Sequence, residues 1–176
     1  MSIFKKKKPV IEFRFNPDKA EQVILYLANK FRFIDVIRLY TTILYADIKH
    51  LNKYGRPIIG DYYVATEYGL VPAQTKKMLE KGTPFVNLIA YCVKATEECN
   101  EYFLSKSDME MLDIYFGKFV NYNIEELIDK AKEFDGWIKA IKNKFSERKV
   151  DYLDLIDRNN FELVDDLLEH SRDIIL

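Results

Sequence analysis

The sequence predicts an α+β fold, a mainly α-helical single domain with a small β-hairpin or short sheet. Three observations carry this. Apolar residues recur at helical spacing through most of the 176-residue chain. Four of the six glycines and three of the five prolines crowd into residues 55–84, and the 92 residues after Pro84 hold no proline. That long stretch can therefore be helical without a forced break. Near the start, Ile11, Phe13 and Phe15 alternate with Val10, Glu12 and Arg14, which is the period of a half-buried strand over Pro9 to Phe15.

Asn16-Pro17-Asp18 opens the first helix, because Asn caps well and Pro suits the first turn. Ala20, Val23, Ile24, Leu27, Ala28 and Phe31 mark its apolar face. A second helix starts near Ile34 or Asp35, with Val36, Leu39, Tyr40, Ile43, Leu44, Asp47, Ile48 and Leu51 on one stripe. It ends at Tyr54-Gly55, where glycine accepts the left-handed conformation. Residues Arg56 to Tyr68 are too rich in glycine and β-formers for a helix and suggest a hairpin or structured loop. Pro72 opens a third helix over Ala73 to Lys81, stopped by Gly82. Residues 85–104 fit helix and strand equally well, and periodicity does not arbitrate.

Ser107 and Glu110 have capping-box spacing and restart the helical pattern, followed by Met109, Leu112, Phe116 and Phe119. Asn123 caps a further helix from Ile124 to Phe134, and Trp137, Ile138 and Ile141 continue the apolar content to Phe145. From Asp151 onward there are eight acids against Arg158 and Arg172, yet Leu163, Val164, Leu167 and Leu168 still share one helical face. An acidic amphipathic helix of this kind packs on the body or docks on a partner. The expected organisation is a basic leader (1–8), one domain (9–148) and an acidic helical extension (149–176).

Composition narrows the function classes. With 27 basic and 28 acidic residues the chain carries a net charge of −1, which removes the global electrostatic argument for nucleic-acid binding. The four lysines Lys5 to Lys8 have no interleaved aromatics and read as a solvated leader. No apolar run approaches the roughly 20 residues that span a bilayer, and no apolar core follows the lysines as in a secretory signal. Two cysteines, Cys92 and Cys99, make no disulfide framework and read as small buried thiols. A cytoplasmic chain is expected, with neither membrane nor nucleic acid as partner.

Candidate chemistry is sparse. His50 and His170 do not combine with the cysteines at zinc spacing, and no nucleophile elbow, phosphate loop or dinucleotide fingerprint occurs. No cofactor or metal is expected. Asp47, His50 and Asp61 are the one constellation with hydrolase potential, since residues 47 and 50 share a helix face. The competing reading makes Asp47 a satisfied polar group bonded to the neighbouring loop.

The most specific stretch is Leu44-Tyr45-Ala46-Asp47, then His50-Leu51, then Tyr54 to Pro72, reading YGRPIIGDYYVATEYGLVP. It describes a helix running into a sharply shaped connector, with Gly55, Gly60 and Gly69 placed to supply positive φ at three turns. This block resembles the SocA-like Panacea-domain antitoxins. Leu104-Ser105 with Ser107-Asp108 and Leu112-Asp113 is similar to a second characteristic stretch of that family, and Glu126-Leu127 up to Trp137 to a third. The resemblance spans about residues 17–140. Leu70 departs from the usual proline, and Lys132 stands where many members have histidine.

The resemblance implies an α-rich α+β domain that neutralises a toxin encoded beside it by direct binding, without catalysis. It favours strands in residues 85–104. It also implies that toxins of unrelated kinds are served, and that a member acting as an adaptor passes its toxin to a cellular protease. The alternatives to direct neutralisation are therefore such delivery, or a small hydrolase using Asp47, His50 and Asp61. Arg and Tyr are frequent interface anchors, so Arg56, Asp61, Tyr62, Tyr63 and Tyr68 are the candidate partner-binding residues. The leader and the acidic extension lie outside the block and are candidates for partner choice by charge.

Overall fold

A computed structural model describes residues 10–144 and 147–176. The leader, residues 1–8, lies outside the described residues. Helices dominate: α1 (Pro17–Lys30), α2 (Val36–Tyr54), α3 (Ala73–Lys81), α4 (Lys106–Phe119), α5 (Ile124–Lys132), α6 (Asp135–Ile141) and α7 (Phe161–His170). The strands are short: β1 (Ile34–Asp35), β2 (Tyr63–Thr66), β3 (Gly69–Pro72), β4 (Val86–Ile89) and β5 (Cys92–Ala95). They form a three-stranded antiparallel sheet ordered β1-β5-β4 and a separate β2–β3 hairpin. The fold class is the predicted one.

α2 is the central helix, and twelve of its nineteen residues are buried. Two apolar clusters meet along it. One joins α1, the three-stranded sheet and the start of α4 through Ile24, Leu27, Ile34, Ile43, Val93 and Leu112. The other joins the β2–β3 hairpin, α5 and the C-terminal residues through Leu44, Tyr63, Leu70, Phe119, Leu127 and Leu167. Such burial is worth about 1.5–3 kcal/mol per large side chain, which is why a helix with so few exposed positions organises the whole.

Caps set the helix starts. The Asn16 side chain accepts from the Lys19 N–H, Asp35 from Arg38 and Asn123 from Glu126. The capping box of α4 differs from the predicted pair. It is formed by Ser105 and Asp108, two residues earlier than Ser107 and Glu110. Both pairs have the required spacing; Ser105 wins because its Asp108 is also held by Lys19 of α1. The predicted helix from Ile124 to Phe134 is α5, which ends at Lys132; Phe134 is extended, and the apolar residues Trp137, Ile138 and Ile141 that follow belong to a separate helix, α6.

The expected strand over Pro9 to Phe15 is not a strand within the described part, Val10–Phe15, which joins no sheet. Its alternation is real nonetheless: Ile11 is buried while Val10 and Arg14 are exposed. The extended segment packs against the body by side chains, with the Glu12 N–H donating to Ser171 Oγ at 3.2 Å. Residues 85–104 resolve into β4, β5 and a short 3-10 turn at Glu101–Phe103. Cys92 and Cys99 form no disulfide and are half-buried rather than buried as expected; Cys99 Sγ donates to Gln22 O at 3.3 Å, and burial pushes its thiol up to about 11.

The residues beyond Arg148 pack on the body. The Ala65 N–H donates to Arg148 O and the Val150 N–H to Tyr63 O, at 3.0 and 2.9 Å, adding a rung to the outer edge of β2. Val150, Tyr152, Leu155, Ile156, Leu163 and Leu167 complete the second cluster, while Glu162, Asp165, Asp166 and Glu169 face out.

Gly69 shows how closely the hairpin fits. Its φ is +95°, and a Cβ there would lie 2.4 Å from Ala131 Cβ and 2.9 Å from the Ala131 carbonyl carbon in α5. Gly69→Ala is expected to cost about 3 kcal/mol, from the left-handed backbone and the clash together. Urea unfolding with an unchanged slope checks this; a loss below 1 kcal/mol would show that α5 yields. Leu70, the departure from proline, is buried opposite Ala65 in the same hairpin.

Candidate functional site: the connector between α2 and α3

The chain leaves α2 at Gly55, whose φ of 73° lets its N–H return to Leu51 O. It then folds back along the helix it has just left. Asp47 makes that return possible. Its Oδ1 accepts from the Ile58 and Ile59 N–H groups at 2.6 and 3.2 Å, and its Oδ2 from the Tyr63 hydroxyl at 3.0 Å. The carboxyl is fully buried, and burial raises its pKa to about 6 against the pull of these three donors.

Asp61 does a second piece of anchoring. It accepts from the Gln74 N–H at 2.9 Å and from the Thr75 N–H and hydroxyl at 2.7 Å each. Pro72 stands at the N-cap of α3 and offers no side-chain cap, so Asp61 supplies it from eleven residues upstream. Burial pushes the Asp61 carboxyl above its usual range, opposed by the Thr75 and Gln74 donors.

At the other end of the connector lies a buried polar cluster. His50 Nδ1 is 2.8 Å from the Arg56 carbonyl oxygen, which assigns the proton to Nδ1. Its Nε2 then accepts from Ser107 Oγ at 2.9 Å. Burial lowers the His50 pKa, with the Arg56 and Lys19 charges adding to it, so the ring is neutral. Asp108 Oδ2 takes Lys19 Nζ at 2.8 Å and the Ser105 N–H at 2.9 Å. Its Oδ1 sits 3.1 Å from Arg56 Nη2 and 3.2 Å from His50 Nε2, hydrogen-bonded to neither. Burial alone would raise the Asp108 pKa. Lys19, the Ser105 N–H and Arg56 outweigh it and hold the carboxyl below its usual value.

The five candidate partner residues therefore have different fates. Asp61 and Tyr63 are both 0% exposed, so neither side chain reaches a surface. This corrects the expectation for those two. The alternation that buries Tyr63 and Ala65 leaves Val64 and Thr66 half-exposed. Arg56 is half-buried and held between Asp108 and Ser105 Oγ, the latter at 3.1 Å. Tyr62 lies beside Lys77, under the Lys149 ammonium at 4.8 Å, and lines a cleft of about 260 Å³ with Phe13, Gly60 and Tyr152. Tyr68 is exposed at the tip of the β2–β3 hairpin. Arg56, Tyr62 and Tyr68 each lie against different elements and form no common patch.

The hydrolase arrangement is not assembled. Asp47 and Asp61 are saturated by separate sets of donors, and His50 bonds Arg56 and Ser107 rather than either carboxylate. Asp47 is the satisfied group that bonds the loop. The roles of Lys19 and Ser107 in the cluster were not legible in the sequence. The one available signal was the Ser-x-Ser-Asp stretch, whose second serine is too far along the helix to cap it.

A model of the antitoxin SocA-like, Panacea domain family matches residues 42–138. The chain belongs to the Panacea-domain family. The matched span runs from within α2 to within α6 and contains the whole connector, with Asp47, His50, Arg56, Asp61 and Asp108 inside it. Lys19, which completes the Panacea domain's buried cluster here, comes from α1 outside that span. Lys132, at the position of the family histidine, places its ammonium over Trp137 at 5.3 Å. Comparison with curated proteins and with solved structures gives no match.

Proposed function

We propose that the chain is an antitoxin that neutralises a cognate toxin by direct binding, acting through a preformed surface rather than through catalysis. Membership of the Panacea-domain family over residues 42–138 carries this reading. The connector supports it physically. Asp47 and Asp61 pin both ends of the loop from inside, so its outer face is ordered before any partner arrives. Binding to such a surface costs little loop ordering. Of the five sequence candidates, Tyr62 and Tyr68 are the anchors with rings at the surface, whereas Arg56 is a half-buried, already paired charge.

Co-expression with the product of the adjacent gene tests the reading. If that product alone arrests growth, this chain should restore growth and co-purify with it. A toxin that persists in a stable complex indicates blocking; one that disappears on co-expression indicates delivery to a protease. Arrest that continues despite folded protein sinks the antitoxin reading. Deletion of residues 151–176 is not a clean test of partner choice by the acidic segment, because it strips Tyr152, Leu163 and Leu167 from the second cluster. Reversing Glu162, Asp165 and Glu169 to lysine leaves that cluster whole. If the acidic face selects the partner, this triple variant should lose neutralisation while its melting temperature stays within a few degrees of the wild type.

A further inference from the structure

We infer that the β4–β5 hairpin, with Phe33 beside it, is a second contact surface for the toxin besides the connector, and that it takes an extended, carboxylate-bearing segment of the toxin as an added strand. This rests on the antitoxin reading and gives it a location. The hairpin leaves Leu88, Ile89 and Tyr91 exposed at 41%, 51% and 80%, and Phe33 at 41%. By the register Phe33 and Ile89 fall with Lys94 on the outer face, while Leu88 opposes Val93 and shares the face of Ile34, exposed there at the sheet's edge.

The edge is open. β4 is the outermost strand of its sheet, and the Thr96 N–H to Phe85 O bond at 2.9 Å sets the phase of the ladder. Asn87 and Ile89 then exchange bonds with β5, and the N–H and C=O of Leu88 point away from it. No bond to those groups occurs among the described residues. An unpaired edge flanked by apolar side chains is a template for an incoming strand.

The charge names the occupant. Arg32 and Lys94 both lie on the Phe33 ring, at 5.7 and 5.9 Å, and neither has an ion pair among the described residues. A carboxylate-bearing segment complements them. A second copy of this chain does not, since a two-fold contact through this patch would face the two cations with themselves.

The turn adds an independent mark. Ala90 and Tyr91 have φ of 49° and 63°, the left-handed pair that Asn-Gly usually fills in a two-residue hairpin. A tyrosine held there against its backbone preference, with four-fifths of its surface in solvent, serves something other than stability.

The test uses the full chain, the adjacent gene's product as probe, and growth rescue with co-purification as readouts. Tyr91→Gly should raise the melting temperature, by relieving the left-handed backbone, and yet lower rescue at least tenfold in plating efficiency. Leu88→Pro removes the outward N–H without touching the β5 ladder, and should also lower rescue in a chain whose circular dichroism is unchanged. Lys94→Glu should weaken co-purification more at low salt than at high salt. Rescue equal to wild type by Tyr91→Gly and Leu88→Pro overturns the docking surface and leaves the antitoxin reading standing. So does a change confined to oligomeric state, which would mark a contact between copies. A wild-type chain that rescues nothing overturns both.

Discussion

Asp47→Ala is expected to unfold the connector first and to cost about 4 kcal/mol, because it leaves three buried donors without an acceptor. Those donors are the Ile58 and Ile59 N–H groups and the Tyr63 hydroxyl, and water reaches neither Asp47 nor Tyr63, both 0% exposed. Asp47→Asn keeps a carbonyl for the two backbone donors and removes the charge, so its cost at pH 7 should be about 1 kcal/mol. The pair of variants also isolates the titration. Burial raises the Asp47 pKa from 3.8 to about 6, so the folded state holds this proton more tightly than the unfolded one. The associated stability is fully present below pH 3.8 and is lost as pH rises through 6. Wild type should therefore gain on Asp47→Asn as pH falls from about 6.5 to 4, by up to about 3 kcal/mol. Urea midpoints across that range check it, and a flat difference would place the proton elsewhere.

Asp108→Ala is expected to be as damaging, again at about 4 kcal/mol, for a different reason. The Lys19 side chain is 5% exposed and its ammonium rests on this carboxylate at 2.8 Å. Removing one partner strands a buried charge, removes the capping box of α4 and leaves Arg56 without its counter-charge. Lys19→Met in the Asp108→Ala background should recover more than half the loss, since the stranded ammonium is then gone. Additive single and double losses would sink that account. The pH sign is opposite to that of Asp47. Asp108 is held below its usual pKa, so its contribution is present at neutral pH and is lost as pH falls through the folded value.

Much of the fold was legible because its signals are local. Asn16-Pro17 opens α1, Asp35 opens α2, Gly55 and Gly82 close α2 and α3, and each acts within a few residues of where it stands. The apolar stripe of α2 correctly buries Leu39, Ile43, Leu44, Ile48 and Leu51, and puts Asp47 among them. The misses are non-local. Ser107 has as good a spacing to Glu110 as Ser105 has to Asp108, and only Lys19, 89 positions before Asp108, decides between them. Residues 10–15 alternate as a strand does, yet they join neither sheet and are held by side-chain packing and by the Glu12 N–H bond to Ser171 Oγ instead.

The candidate site divides in the same way. The spacing of glycines, prolines and aromatics from Tyr54 to Pro72 by itself determined a shaped connector, because turns demand particular residues at particular places, and the family was legible there as a resemblance of the motif. It did not determine which side chains meet solvent. Tyr62, Tyr63 and Tyr68 are alike as letters; Tyr63 is buried under Asp47 and Tyr152, while Tyr68 stands at a hairpin tip. Burial is a property of what packs from elsewhere in the chain, here of residues 148–152 closing over β2. The tertiary structure alone decided that, and with it the separation of pinned carboxylates inside from an exposed surface outside.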